Sequence, residues 1–172
     1  MTFCSKLMAF GYKAEYNSLL FLNKNNKRVQ QYKEEGLNLL RQKVDKLPEE
    51  IAFRPRFLKQ SFCVKIFNQI YLFISKNNLA KPMSERFDSL FHEIGHWLHF
   101  QNLPPKEMRK TTWTEINKEK VKNDVSERAI QNNEGLEFVA EVFKGLIKGN
   151  KYDDYIMNFY NRLNGPKVKN KK

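Results

Sequence analysis

Cysteine is nearly missing from this chain. Cys4 and Cys63 stand far apart and form neither a C-x-x-C pair nor a disulfide framework. Cross-links are therefore not what holds the fold together, and reduced thiols in a cytosolic setting are expected. Long apolar runs are missing too. The opening stretch MTFCSKLMAFGYKAEYNSLL is broken by Lys6, Lys13 and Glu15 before it reaches signal-peptide length, and no later run approaches a membrane span. A cytoplasmic location without membrane contact is expected. Acidic residues are few, 19 against 31 basic ones, for a net charge of +12. The excess is scattered through nearly every segment. Its concentrations at 106–122 and 167–172 hold a single aromatic residue, Trp113, and so lack the interleaved aromatics of a stacking platform. Charge alone supports only non-specific binding, so no specific nucleic-acid partner is expected.

At 172 residues the chain fits one domain, long enough to bury a core without a metal or a disulfide as its sole staple. Histidine is also scarce, and its placement is informative. All three histidines fall between positions 92 and 99, inside FDSLFHEIGHWLHF at 87–100. His92, Glu93 and His96 spell H-E-x-x-H, a zinc-hydrolase pattern. Residues four apart lie one turn apart on one helix face, so the two imidazoles can take adjacent corners of a tetrahedral site. Glu93 points into the same space. It is badly placed to ligate beside both neighbours, but it can accept a proton from an activated water.

Phe87, Leu90, Phe91, Ile94 and Leu98 recur at spacings of three and four, which buries this helix on an apolar stripe with the histidines along its border. Gly95 costs roughly 1 kcal/mol in a helix interior, so another backbone or a substrate is expected to come close there. Ser84 offers an N-cap, and Leu103-Pro104-Pro105 ends the helix. His99 follows His96 too closely to be the third histidine of the longer metzincin motif, whose position holds Asn102. It reads as a supporting or structural residue.

Residues 1–26 show no clean period and fit either a short helix or an irregular lead-in. Residues 27–46 carry a helical stripe of Val29, Tyr32, Leu37, Leu40 and Val44, stopped by Pro48. Stretches 62–67 and 70–75 are rich in β-branched and aromatic residues and read as one or two strands. Such a strand beside the histidine helix is either an ordinary buried strand or an edge for an extended substrate. Residues 104–130 are polar, a loop or short helix anchored by Trp113 and Ile116. A last helix begins at Asp153-Asp154, turns Tyr155 or Ile156, Phe159, Tyr160 and Leu163 inward, and stops at Asn164-Gly165-Pro166. The basic tail 167–172 is expected to be disordered.

The stretch EGLEFVAEVFKGLI at 134–147 is strongly apolar and helical in period, with Gly149 placed to end it. Glu137 and Glu141 share one face of it, among residues that draw them away from water. Buried carboxylates need partners. A zinc ion supplies one, with Glu137 as third ligand and Glu141 accepting the free N–H of a ligand histidine; exchanging the two acids satisfies the same spacing.

With HEIGH at 92–96 and EFVAEVF at 137–143 both in view, the chain resembles the zinc peptidase domain of anthrax lethal factor and a related domain of phage head morphogenesis (minor capsid) proteins. SERAIQN at 126–132 resembles the S-x-Y-A-x-x-N stretch that precedes the acidic helix there. The resemblance covers about residues 84–166. It implies that Glu137 binds zinc and that Glu141 lies outside the ligand set. Where that family carries a tyrosine thought to stabilise the oxyanion, this chain has Arg128, and two extra residues separate Asn132 from Glu137.

An α+β, zincin-like fold is expected over residues 1–166, mostly helical with a small sheet beside the histidine helix. The expected function is zinc-dependent hydrolysis of peptide or protein substrates. Zn2+ would be held by His92, His96 and Glu137, with Glu93 as base, and Arg128 or Tyr155 would meet the oxyanion. The alternative is a phage-derived or mobile-element head-assembly protein whose metal site is structural.

Overall fold

A computed structural model describes residues 3–131 and 134–169. Among the described residues it is an α+β fold of seven α-helices and one three-stranded sheet. The helices are α1 (Phe3–Asn23), α2 (Lys27–Arg41), α3 (Asp88–Gln101), α4 (Lys106–Thr114), α5 (Lys118–Asp124), α6 (Leu136–Lys148) and α7 (Asp154–Arg162). The strands are β1 (Ala52–Arg54), β2 (Phe62–Ile66) and β3 (Gln69–Ser75), in the order β1-β3-β2. β1 runs parallel to β3 and β2 antiparallel to it.

The central strand β3 explains the architecture. Its Ile-Tyr-Leu-Phe-Ile run is apolar without alternation, as a strand covered on both faces must be. Tyr71 and Phe73 meet Tyr16 and Leu19 of α1, together with Phe62, Val64 and Ile66 of β2. Leu72 and Ile74 point the other way, into the main core built by α2, α3, α6 and α7. The sheet therefore lies between α1 and the helical body. Tyr16 sits edge-on to both Tyr71 and Phe73, and its hydroxyl donates to the Glu50 carbonyl at 2.7 Å.

Local chemistry sets several boundaries. Asn26, Asn117 and Asp153 accept the backbone N–H of Val29, Lys120 and Ile156, capping α2, α5 and α7. Gly149, at φ 94°, turns the chain out of α6. Ser84 does not cap α3. It lies in the preceding turn, where its carbonyl accepts from Lys148, and the helix starts after Phe87 without a side-chain cap.

Three other expectations resolve. The indeterminate start of the chain is a 21-residue helix. The polar stretch 104–130 folds as α4 and α5, with Trp113, Ile116 and Val121 buried. Of the tail expected to be disordered, residues 167–169 run back along the end of α2: Val168 packs on the core and the Lys169 N–H donates to the Lys43 carbonyl at 2.8 Å. Residues 170–172 lie outside the described residues. No described helix is long and apolar enough to cross a membrane.

α3 and α6 pack closely at Gly95. A Cβ built there would lie 3.2 Å from the Ala140 Cα and 3.0 Å from the Phe143 ring. Of the two approaches anticipated at this glycine, the structure realises that of a neighbouring backbone. The contact has a direct consequence for the polar residues beside it. His92 and His96 flank Gly95 on α3, Glu137 and Glu141 flank Ala140 on α6, and closing one pair brings the other together.

Candidate metal centre

Three ligand-type groups converge between α3 and α6. His92 Nε2 lies 3.2 Å from Glu137 Oε2, and His96 Nε2 lies 3.2 Å from Glu137 Oε1. The two Nε2 atoms are 3.1 Å apart. Ligands about 2.05 Å from the centre of a tetrahedron are separated by about 3.3 Å, so these edges have metal-site dimensions. The group His92, His96 and Glu137 can hold a metal ion.

The protons support the same conclusion. His92 Nδ1 lies 2.7 Å from Glu141 Oε1, and a carboxylate can only accept, so Nδ1 carries the hydrogen and Nε2 of the neutral ring presents a lone pair. That lone pair faces Glu137, another acceptor, and the His96 ring. Without a cation, acceptors would face one another in a buried site, His92 and His96 being 1% and 6% exposed. Burial opposes a charge on His92, but the hydrogen bonds that a protonated ring could give to both Glu137 and Glu141 outweigh it and push its pKa above the ordinary imidazole value. A cation between the side chains can supply the charge that protonation would otherwise bring. For Glu137 too burial works upward, and the two imidazoles overcome it, holding its carboxyl well below the usual range.

Glu141 does the orienting. One oxygen holds His92; the other accepts from Ser126 Oγ at 2.8 Å and Lys144 Nζ at 2.6 Å. Burial raises its pKa, but His92 and Lys144 prevail and bring it down to about 2, so it stays ionised. This carboxylate-histidine pairing fixes ring angle and tautomer in metal sites, and losing it typically costs 10–100-fold in metal affinity. Glu141→Gln is expected to weaken metal binding by about that factor while leaving one site per chain, checked by competition against a chromophoric chelator.

Glu93 is 2% exposed and is not one of the three converging groups. Burial dominates its environment and raises its pKa, against the opposing influence of His92, His96 and Arg128. Arg128 reaches both acids, its Nε 3.1 Å from Glu137 Oε2 and its Nη2 3.8 Å from Glu93 Oε1. Tyr155 is engaged elsewhere: its hydroxyl accepts the Asn117 N–H at 2.7 Å and its ring packs on Phe159.

His99 supports the fold. It is fully buried, and Nε2–H donates to the Leu163 carbonyl at the end of α7 at 2.7 Å. Burial lowers its pKa to about 4. The folded state thus binds fewer protons than the unfolded chain between pH 6.5 and 4, so stability falls as pH drops through that window. The loss attributable to His99 is of the order of 3 kcal/mol. Urea unfolding in chelator should show this slope, and His99→Gln should flatten it.

Sequence reasoning missed the two outer partners of Glu141. Lys144 was within reach of it, being three residues on along one helix face. Ser126 arrives from another segment, and nothing in its spacing relates it to Glu141. Comparisons with family models, curated proteins and solved structures find no match, so the site is read from its own geometry.

Proposed function

We propose that this chain is a zinc-dependent peptidase with a zincin-like fold, its zinc held by His92, His96 and Glu137. The observation that carries the reading is Glu93. A structural metal site needs ligands and a supporting shell, and His92, His96, Glu137 and Glu141 provide both. A third carboxylate, buried beside the ligands and outside their set, serves hydrolysis instead. Two histidines and a carboxylate also suit iron. The H-E-x-x-H spacing with an extra acid favours zinc, as does the likeness of HEIGH and EFVAEVF to the lethal-factor type of peptidase.

Zinc, when bound, supplies a Lewis acid that polarises a scissile carbonyl and brings the pKa of water down to about 7. Glu93 takes the proton of the attacking water and delivers it to the amide nitrogen as the C–N bond breaks. Its burial raises the carboxyl pKa, which favours holding that proton between the two transfers. Glu141 keeps the His92 lone pair aimed inward throughout. Arg128, about half exposed, retains guanidinium N–H groups beyond the one given to Glu137 and can donate to the oxygen that becomes negative.

Elemental analysis tests the reading directly. About one zinc per chain is expected, absent from His92→Ala and Glu137→Ala. Iron in its place, or metal unaffected by His92→Ala, would overturn it. Zinc bound at this site with no peptide hydrolysed would favour the head-assembly alternative.

A further inference from the structure

The sheet beside the site has an unusual charge. From Glu50 to Glu85 there is no acidic residue, while six basic ones intervene: Arg54, Arg56, Lys59, Lys65, Lys76 and Lys81. Arg54 is paired with Glu15 at 3.2 Å, whereas Arg56, Lys59 and Lys65 are exposed and without an acidic partner among the described residues.

β2 is an edge strand, and its pairing tells which backbone groups are open. A two-residue turn, Phe67-Asn68, joins Ile66 to Gln69, and such a turn closes on a hydrogen-bonded pair. Antiparallel pairs alternate, so Ile66, Val64 and Phe62 bond inward to β3 while Cys63 and Lys65 direct their N–H and C=O groups to the outer edge.

These two residues also face the site helix. Cys63 packs with the main core, where β2 lies against α3. Lys65 Nζ donates to the Phe100 carbonyl at the end of α3 at 2.7 Å. Phe100 stacks on His96. Glu93 and Phe100 are seven residues apart, about 10.5 Å along the helix, or roughly three residues of extended chain. Arg128 stands at the Glu93 end of this span and Lys65 at the Phe100 end.

From this we infer that the substrate is an acidic, extended polypeptide segment that adds to the outer edge of β2. Its backbone pairs with Cys63 and Lys65, and carboxylate side chains meet Lys65 and the Arg56–Lys59 turn. The assignment rests on the peptidase reading and adds the substrate class. Lysine on an edge strand also discourages sheet-to-sheet aggregation. That role alone would need neither the acid-free run between Glu50 and Glu85 nor a tie to the end of the site helix.

The test is cleavage-site profiling of the zinc-loaded protein on a proteome-derived peptide library, followed by kinetics on the best peptide and a matched version with Gln for each Glu and Asn for each Asp. Acidic residues should be enriched around the cleaved bonds. The acidic peptide should exceed its amide match in kcat/KM by about tenfold at low salt, with the ratio shrinking at high salt and in Lys65→Gln. Equal rates for the two peptides would overturn the acidic preference and leave the peptidase intact. If nothing is cleaved, fluorescence anisotropy separates the two claims. Acidic-peptide binding lost in Lys65→Glu would uphold the surface while the peptidase falls, and no binding would overturn both.

Discussion

Under the proposed peptidase mechanism, Glu93→Gln is expected to bind metal as the unaltered chain does and to hydrolyse peptides about a hundred- to ten-thousandfold more slowly. The substitution keeps size and shape in a pocket where the side chain is 2% exposed, so packing is conserved. It removes only the proton acceptor. Glu93 is outside the converging set of His92, His96 and Glu137, and Arg128 keeps its closer partner, Glu137, at 3.1 Å. Metal stoichiometry and kcat on one peptide, measured on the same preparation, check both halves. Undiminished turnover would show that another group moves the proton; lost metal would show that Glu93 is a ligand.

Chelation should produce the largest change in stability. At a free zinc concentration a thousandfold above Kd, binding stabilises the folded chain by about 4 kcal/mol. For a domain of this size that corresponds to a fall of about 10 °C in Tm when the metal is stripped. Calorimetry with and without chelator measures it. His92→Ala should melt at the same temperature in both conditions, because it has lost a ligand of the metal site. A wild-type Tm indifferent to chelator would contradict the metal site altogether.

Parts of this structure were legible because the signal was local. The histidine helix, the acidic helix and α7 each show a one-sided apolar stripe and a stop residue at the end, and all three are found where those features place them. α1 was not legible for a physical reason. It buries Tyr16 and Leu19 against the sheet but leaves Met8, Phe10, Phe21 and Leu22 exposed, so apolar residues surround the helix and no period stands out. β1 is three residues long and exists only through its parallel pairing with β3, a partner distant in sequence. At the site, His92, Glu93 and His96 could be read from spacing along one helix. The choice between Glu137 and Glu141 could not, since both lie on the same face of α6. What decides it is which histidine nitrogen each acid meets: Glu141 takes Nδ1 of His92, and Glu137 faces Nε2 of both rings.

The contact between Gly95 and Ala140 works as a caliper. Its jaws are α3 and α6, and the gap it sets is the one spanned by two imidazoles and a carboxylate. A methyl group at Gly95 would meet the Ala140 backbone at 3.2 Å and wedge the jaws by a few tenths of an ångström. That increment is comparable to the difference between the bond lengths of zinc to nitrogen and of calcium to oxygen. The spacing of two imidazoles and a carboxylate is therefore set by a residue that has no side chain and is not one of them.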